Sequence, residues 1–193
     1  MKHSNKTTPT YAQKGLKGQE KRLKIKLKLI ADFGLIGLPN AGKSSLLNEI
    51  TNANIKIGDY PFTTLEPNLG VLNGKVLADI PGLIEGASEG KGLGHKFLKH
   101  IAKVKLLLHC ISCESDDPLK DYKIIREELK KFNPDLLNKK EMILLTKSDL
   151  KETERSPLAA AAKLKKIGEK EVIPISIHDW DSIQILTKIL SEV

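Results

Sequence analysis

Aromatic residues and cysteines are scarce in this chain, and it has no long apolar run. Aromatic side chains make up 4% of the 193 residues, so we expect a core built mostly of Leu, Ile, Val and Ala. No apolar stretch approaches the ~18 residues of a membrane-spanning helix, and the polar N-terminus lacks the apolar segment of a secretory signal. Two cysteines cannot build a disulfide framework, which is typical of a protein of the reducing cytoplasm.

Those two cysteines, Cys110 and Cys113, form a lone C-x-x-C at the end of an apolar segment. Neither a second cysteine pair nor a histidine cluster of zinc spacing accompanies them. We therefore interpret both as small buried apolar residues, and a redox or metal-binding role is the alternative.

The positive charge is confined to an N-terminal arm. Residues 1–30 hold nine Lys or Arg and one acidic residue, and thus the whole net charge of +8, whereas residues 31–193 hold 23 of each sign. Residues 1–20 show no apolar periodicity and are expected to be flexible, while residues 23–29 alternate as in a strand. Such an arm can contact RNA phosphates, or its lysines can simply be a solvated face that discourages aggregation. We divide the chain into this arm and a domain over residues 31–193.

A phosphate-binding motif stands between an apolar strand, Phe33–Ile36, and the start of a helix at Ser45. It fits G-x-x-x-x-G-K-[ST], in which glycines let successive N–H groups face phosphate oxygens at a helix N-terminus. Lys43 would reach the β- and γ-phosphates and Ser44 would bind Mg²⁺. The alternative is a glycine-rich turn with a solvated lysine. The motif residues are Gly37, Leu38, Pro39, Asn40, Ala41, Gly42, Lys43 and Ser44.

The rest of the domain alternates strands and helices. Strands are predicted at 70–72, 76–80, 106–111, 142–145 and 172–175, and helices at 96–101, 121–132, 158–167 and 181–190. This alternation predicts an α/β fold with a mostly parallel central sheet and helices on both faces, and the phosphate-binding motif makes it a predicted P-loop NTPase domain. Ligands of such sheets bind at the carboxyl ends of the strands, where each motif lies.

Two further segments complete the phosphate and metal chemistry. Asp79-Ile80-Pro81-Gly82 is a D-x-x-G, whose Asp can hold Mg²⁺ through water and whose Gly can offer its N–H to a γ-phosphate. In the preceding loop, the hydroxyl of Thr63 or Thr64 can complete the Mg²⁺ shell when the γ-phosphate is present. The residues alone do not choose between the two threonines.

A base-reading motif follows the 142–145 strand. Thr146-Lys147-Ser148-Asp149 fits [NT]-K-x-D, in which the Asp carboxylate accepts hydrogen bonds from N1–H and the 2-amino group of guanine. Adenine lacks that pair of donors, and the stem of Lys147 can cover the base plane. The alternative is a helix N-cap aspartate.

Taken together, these motifs resemble the GTP-binding domain of the Obg family of GTPases. The resemblance runs from about residue 18 to the end. It is carried by residues 30–44, 59–70 and 78–95, of which the last segment is very specific to the family. It implies that Thr64 joins Ser44 and Asp79 as a Mg²⁺ ligand, and that Ser176-Ile177-His178 make the last guanine contact. The loop residues that would touch the nucleotide are Phe62, Thr63, Thr64, Leu65 and Glu66. Residues 23–29 resemble the last strand of the family's glycine-rich N-terminal domain, whose body we expect to be missing, as is any C-terminal domain.

Departures from the family pattern concern Thr146, where Asn is usual, and Ile177, where Ala is usual. Both put affinity in question more than specificity. Leu83 stands where Ras-like proteins place a water-orienting Gln, so we expect slow hydrolysis that relies on Lys43, Gly82 and the metal. We hypothesise that Asn40 helps to bind K⁺, although Asn also suits the turn.

The sequence therefore predicts Mg²⁺-dependent GTP binding and slow hydrolysis to GDP and phosphate. The nucleotide state would switch partner binding, and the family implies the large ribosomal subunit or its rRNA, in ribosome assembly or a stress response. The alternative is a guanine-nucleotide sensor that does not hydrolyse GTP. A P-loop kinase is a weaker possibility, because no substrate lid or catalytic base is evident.

Overall fold

The computed structural model describes residues 14–22, 31–51, 56–57, 68–80, 104–150, 157–165 and 171–193. Strands and helices alternate through most of this part of the chain. In order they are β1 (Phe33–Ile36), α1 (Lys43–Ile50), β2 (Lys56–Ile57), β3 (Asn68–Leu72), β4 (Lys75–Asp79), β5 (Leu106–Ser112), α2 (Pro118–Phe132), a 3₁₀ helix (Pro134–Asn138), β6 (Glu141–Thr146), α3 (Pro157–Lys165), β7 (Val172–Pro174) and α4 (Trp180–Glu192).

One sheet of seven strands, in the order β2-β3-β4-β1-β5-β6-β7, organises the described residues. The five strands from β4 to β7 in this order are parallel, and β2 and β3 pair antiparallel at one edge. The register sets Leu35 beside Asp79, Ile36 beside His109 and Ser112 beside Thr146. The carboxyl ends of the parallel strands therefore meet at one edge of the sheet, which is where α/β folds bind their ligands.

Helices cover both faces of the sheet, as the alternation of side chains along β5 shows. Leu106, Leu108 and Cys110 join a core with residues of α1 and α4, while Leu107 joins residues of α2 on the opposite face. A third cluster, under α2 and α3, holds Ile111. The predicted α/β class, with a mostly parallel sheet covered on both faces, is confirmed.

The antiparallel edge is the feature that strand–helix alternation did not anticipate. β3 and β4 form a hairpin, with Leu72 paired to Lys75. Asn73 and Gly74 make the turn with φ values of 48° and 79°. Two successive left-handed residues are typical of the tight hairpin turn that matches strand twist, and Asn-Gly is its preferred dipeptide.

The second helix, α2, starts earlier than predicted because of the residue that caps its N-terminus. α2 begins at Pro118, three residues before the predicted start, because the Asp117 side chain accepts a hydrogen bond from the N–H of Lys120 at 3.1 Å. Pro118 then occupies the first turn, where no N–H is needed. The predicted strand over 23–29 and the predicted helix over 96–101 lie outside the described residues, and the division into an arm and a domain remains a prediction. No described helix is long and apolar enough to cross a membrane.

Candidate functional site

The loop after β1 has a backbone that only particular residues can adopt. Gly37 has φ 149°, and a Cβ placed there would overlap the carbonyl oxygen of Cys110 in the neighbouring strand. Gly42 has φ 80° immediately before α1, which starts at Lys43. The two glycines of the phosphate-binding motif are therefore required by close packing at one end and by a left-handed turn at the other.

Asn40 occupies the tip of this loop with φ 60° and is exposed. Asparagine tolerates the left-handed region better than other residues with a side chain, so the turn by itself accounts for its presence. Its proposed contact with K⁺ remains a hypothesis.

Lys43 and Ser44 lie in the first turn of α1, and their side chains make different contacts. The Lys43 ammonium donates to the carbonyl oxygens of Gly37 and Leu38 at 3.0 and 2.9 Å, so it lies over the phosphate-binding loop. The Ser44 hydroxyl donates to Asp79 Oδ2 at 2.5 Å. The structure thus brings two of the three residues predicted to bind the metal into contact, next to the lysine that is predicted to bind phosphate.

Asp79 ends β4 in a position that is unfavourable for an isolated carboxylate. It is 4% exposed, and its Oδ1 is buried without a hydrogen-bond partner among the described residues. A buried carboxylate oxygen without a donor or a cation is costly. A hard divalent cation prefers carboxylate and hydroxyl oxygens, so the Ser44–Asp79 pair has the chemistry for Mg²⁺.

The remaining predicted phosphate and metal contacts lie outside the described residues. Ile80, the last described residue of the D-x-x-G segment, is buried, and its N–H donates to the Leu35 carbonyl at 3.1 Å. The undescribed ones are Phe62, Thr63, Thr64, Leu65, Glu66, Pro81, Gly82 and Leu83.

Thr146 ties the base-reading loop to the phosphate-binding loop. Its buried hydroxyl lies 2.8 Å from the Ala41 carbonyl oxygen and 3.1 Å from that of Ile111, and it donates to them. A Cβ on Gly42 would be in ordinary contact with Thr146 at 3.6 Å. Threonine at this position therefore still ties the loop through its hydroxyl, which donates to main-chain carbonyls.

Asp149 is exposed at the same edge of the sheet, where the carboxyl ends of the strands meet, and one of its oxygens is held by Ser176. Ser176 donates its hydroxyl to Asp149 Oδ1 at 2.5 Å and accepts from the N–H of His178 at 3.0 Å. The Ser176 bond is the main reason that the pKa of the Asp149 carboxyl lies below its usual value, so Asp149 is ionised at neutral pH. Because it is exposed and ionised, the Asp149 carboxylate can accept further hydrogen bonds from a ligand with paired N–H donors.

A cavity of about 250 Å³ joins these elements. It lies between the start of α1, the loop after β6 and the loop after β7, so the three segments predicted to bind one nucleotide meet at one space. Its mouth carries two half-exposed apolar side chains, Leu150 and Ile177. The predicted site residues that line it are Gly42, Thr146, Lys147, Asp149, Ile177 and His178.

Glu114 belongs to this site, although the sequence did not single it out. Lys147, which has φ 58°, forms an ion pair with Glu114 across the loop after β5. Glu114 is itself positioned by the Ser112 hydroxyl, which accepts from the Glu114 N–H at 3.1 Å. The pair holds the Lys147 stem beside the cavity, and no local pattern could have revealed it because it joins two loops.

A second cavity, of about 520 Å³, lies between the phosphate-binding loop, the end of β5 and the start of α2. His109 forms part of its wall, and its Nδ1 lies 2.8 Å from Glu141 Oε1. Tyr122 stacks on His109 with ring centroids 5.0 Å apart, and Arg126 also contacts Glu141 at 3.2 Å. This buried polar cluster fixes α2 against β5 and β6 beside the site.

Both cysteines are buried and unbonded to each other. Desolvation raises the pKa of the Cys110 thiol to about 12 and that of Cys113 to about 11, so both are protonated at neutral pH. Among the described residues, no cluster of three His, Cys, Asp or Glu side chains could hold a metal ion.

A mostly parallel sheet, with the predicted phosphate-binding and base-reading motifs at the carboxyl ends of its strands, is typical of a P-loop GTPase domain. The chain belongs to the 50S ribosome-binding GTPase family, whose model matches residues 32–147.

The curated relatives narrow this class and confirm the resemblance to the Obg family. GTPase Obg from Desulfotalea psychrophila is 45% identical over 191 residues, which cover 96% of this chain and 51% of that protein. GTPase Obg from Fervidobacterium nodosum is 51% identical over 179 residues, 88% of this chain and 41% of the relative. The chain spans about half the length of the curated relatives it matches.

Solved structures share the fold at lower identity. A point variant of Era from Aquifex aeolicus, bound to GDP and AlF₄⁻, has a TM-score of 0.61 at 22% identity, over 86% of this chain and 57% of that one. An S. thermophilus NFeoB mutant bound to GDP has a TM-score of 0.60 at 19% identity, over 82% of this chain and 61% of that one.

Proposed function

We propose that this chain binds GTP with Mg²⁺ and hydrolyses it slowly to GDP and phosphate. The observation that carries the proposal is the cavity in which Gly42, at the end of the phosphate-binding loop, and Asp149, of the base-reading loop, form parts of one wall. A nucleotide lying from Asp149 to Lys43 would satisfy both loops at once.

Each of these residues has a part in the proposed reaction. Asp149 accepts from the guanine edge, and Lys43 exchanges its two carbonyl contacts for phosphate oxygens. Ser44 and Asp79 would hold Mg²⁺ with Thr64, and the metal supplies neutralisation of charge on the β- and γ-phosphate oxygens. Water attacks the γ-phosphorus, the bond to the β–γ bridging oxygen breaks, and GDP and phosphate leave. Gly82 would contribute its N–H to the γ-phosphate.

Leu83 is the reason that we expect slow GTP hydrolysis, and it also supports the second candidate function, a guanine-nucleotide sensor that does not hydrolyse GTP. Its side chain can neither donate nor accept a hydrogen bond, so it cannot orient the attacking water. A sensor that binds GTP and GDP without turnover would share every binding contact described above. Phosphate release in multiple turnover separates the two candidates.

The test compares the wild-type chain with Asp79→Asn, using GTP and Mg²⁺. We expect phosphate release from the wild type and at least a tenfold loss in Asp79→Asn. Asp32→Asn is the matched control, because Asp32 precedes β1 at the opposite end of the sheet and should leave turnover unchanged. Wild-type release no faster than that of Asp79→Asn would favour the sensor.

We further propose that the partner is the large ribosomal subunit and that the protein works in the cytoplasm. The description of the matching family and the +8 charge over residues 1–30 support a ribosomal partner. Cosedimentation with purified 50S subunits in GTP and in GDP tests this. Equal binding in both nucleotides would contradict switching, and no binding in either would contradict the partner.

A further inference from the structure

Ser182, in the first turn of α4, makes an unusual set of contacts with the loop that precedes the helix. It is 8% exposed. Its hydroxyl accepts from the Ser176 N–H at 3.2 Å and lies 3.1 Å from the Ser176 carbonyl oxygen and 2.8 Å from that of Asp179. One side chain therefore contacts both main-chain polar groups of Ser176.

Ser176, whose main chain Ser182 holds, also contacts Asp149 through its side chain. It is 1% exposed, and its hydroxyl donates to Asp149 Oδ1 at 2.5 Å. The main chain of Ser176 determines where that hydroxyl can lie, and Ser182 holds the main chain. The contacts run from α4 through Ser176 to the carboxylate at the cavity.

We propose that Ser182 is a positioning residue for guanine recognition, which acts through Ser176 to orient the Asp149 carboxylate. The inference rests on the proposed function, in which Asp149 accepts from N1–H and the 2-amino group. Two parallel hydrogen bonds demand a defined carboxylate plane, because such bonds weaken steeply as their angle departs from linearity. Without the Ser182 hydroxyl, the buried N–H of Ser176 loses its hydrogen-bond acceptor, and the main chain of Ser176 can shift.

Inosine diphosphate provides a specific probe. Hypoxanthine keeps N1–H and lacks the 2-amino group, so IDP makes one of the two contacts with Asp149. A misoriented carboxylate should therefore weaken GDP binding more than IDP binding. General loosening of the domain should weaken both nucleotides equally.

The experiment measures Kd for GDP and IDP by calorimetry, with Mg²⁺, for the whole chain and its variants. We expect Ser182→Ala to weaken GDP binding about three- to tenfold and IDP binding less than about twofold. Ser176→Ala should do the same, and the double variant should be no worse than Ser176→Ala alone. The control is Ser191→Ala at the far end of α4, whose hydroxyl donates to the Thr187 carbonyl at 2.8 Å.

The outcomes separate this inference from the proposed function. Equal loss for GDP and IDP in Ser182→Ala, or additive losses in the double variant, would overturn the role of Ser182. If Ser182→Ala does not fold, Ser182→Cys keeps the shape with weak hydrogen bonding and should show the same drop in discrimination. A wild-type chain that binds GDP and IDP equally would instead contradict guanine reading by Asp149.

Discussion

The Thr146 hydroxyl lies 2.8 Å from the carbonyl oxygen of Ala41 and donates to it across 105 positions of sequence. This bond joins the loop that would read the base to the loop that would hold the phosphates. A buried side chain at the end of β6 thus links the two loops directly.

Thr146→Val tests that dependence, because valine has the same shape and cannot donate. We expect a loss of about 1–3 kcal/mol in the free energy of unfolding, since two buried carbonyls lose their shared donor. GDP affinity should fall several-fold. Urea unfolding and calorimetry measure the two effects.

Thr51→Val is the matched control for this change. Thr51 is also buried and donates to the Leu47 carbonyl at 2.7 Å, within one turn of α1 and its C-cap. We expect it to leave GDP affinity unchanged. An equal fall in affinity for the two valine variants would show that Thr146 has no special role in the site.

Gly37→Ala should abolish nucleotide binding. A Cβ there overlaps the Cys110 carbonyl oxygen, and the loop must move away from β5. We expect a loss of at least about 2 kcal/mol in stability. Gly74→Ala is the control, since Gly74 has φ 79° with no atom within 4 Å of its Cβ, so only left-handed strain of about 1 kcal/mol is expected. A Gly37→Ala chain that binds GDP normally would contradict the described loop.

Asn40→Gly separates the two explanations of Asn40. Glycine keeps the left-handed turn at φ 60° and removes the amide, so stability should not change. If the amide helps to bind K⁺, GTP turnover in K⁺ should exceed turnover in Na⁺ for the wild type, and Asn40→Gly should lose the difference. Equal turnover of the wild type in K⁺ and Na⁺ would refute the K⁺ hypothesis.

The contacts of Asp32 lead us to expect that the protein loses stability as the pH falls into the acidic range. Burial would raise the pKa of its carboxyl, but bonds from the Val76 N–H at 3.0 Å and from Lys105 at 3.2 Å outweigh burial and hold the pKa below 3.8. A pKa lowered by folding stabilises the protein above the unfolded value, and this contribution is lost as the pH falls through the folded value.

Asp32→Asn should therefore lower the free energy of unfolding at pH 7. We expect a loss of only about 0.5–1 kcal/mol, because Lys105 is half exposed and water screens its attraction to Asp32. The difference between wild type and variant should shrink as the pH falls below 3.8. Denaturation series at several pH values measure it, and a difference that grows on acidification would contradict this account.

Local patterns were enough to predict much of the fold and the core of the site. β1, the glycine loop and α1 lie next to one another in sequence, so the motif and its context could be recognised together. Asn73-Gly74 also carried a usable turn signal, although no hairpin was predicted there. The start of α2 was misplaced because the capping of Asp117 was not considered.

Contacts between distant loops could not be predicted. Glu114 and Lys147 meet because β5 and β6 are adjacent in the sheet. The partner of the Thr146 hydroxyl likewise depends on how the strand ends converge. Such pairings follow from three-dimensional register, which single residue types do not encode.

The most direct test of the central claim, that one guanine nucleotide lies between Lys43 and Asp149, is a calorimetric comparison of GDP, XDP and ADP on the wild type and Asp149→Asn. The account predicts that the wild type binds GDP at least about 100-fold more tightly than ADP, a lower bound, because a site built to hydrogen-bond its ligand can reject an analogue without the matching groups by roughly 10⁴- to 10⁵-fold. It also predicts that Asp149→Asn changes its preference to XDP, because an amide NH₂ can pair with the 2-oxo group. Equal wild-type affinity for GDP and ADP, or an unchanged preference for GDP in Asp149→Asn, would contradict it.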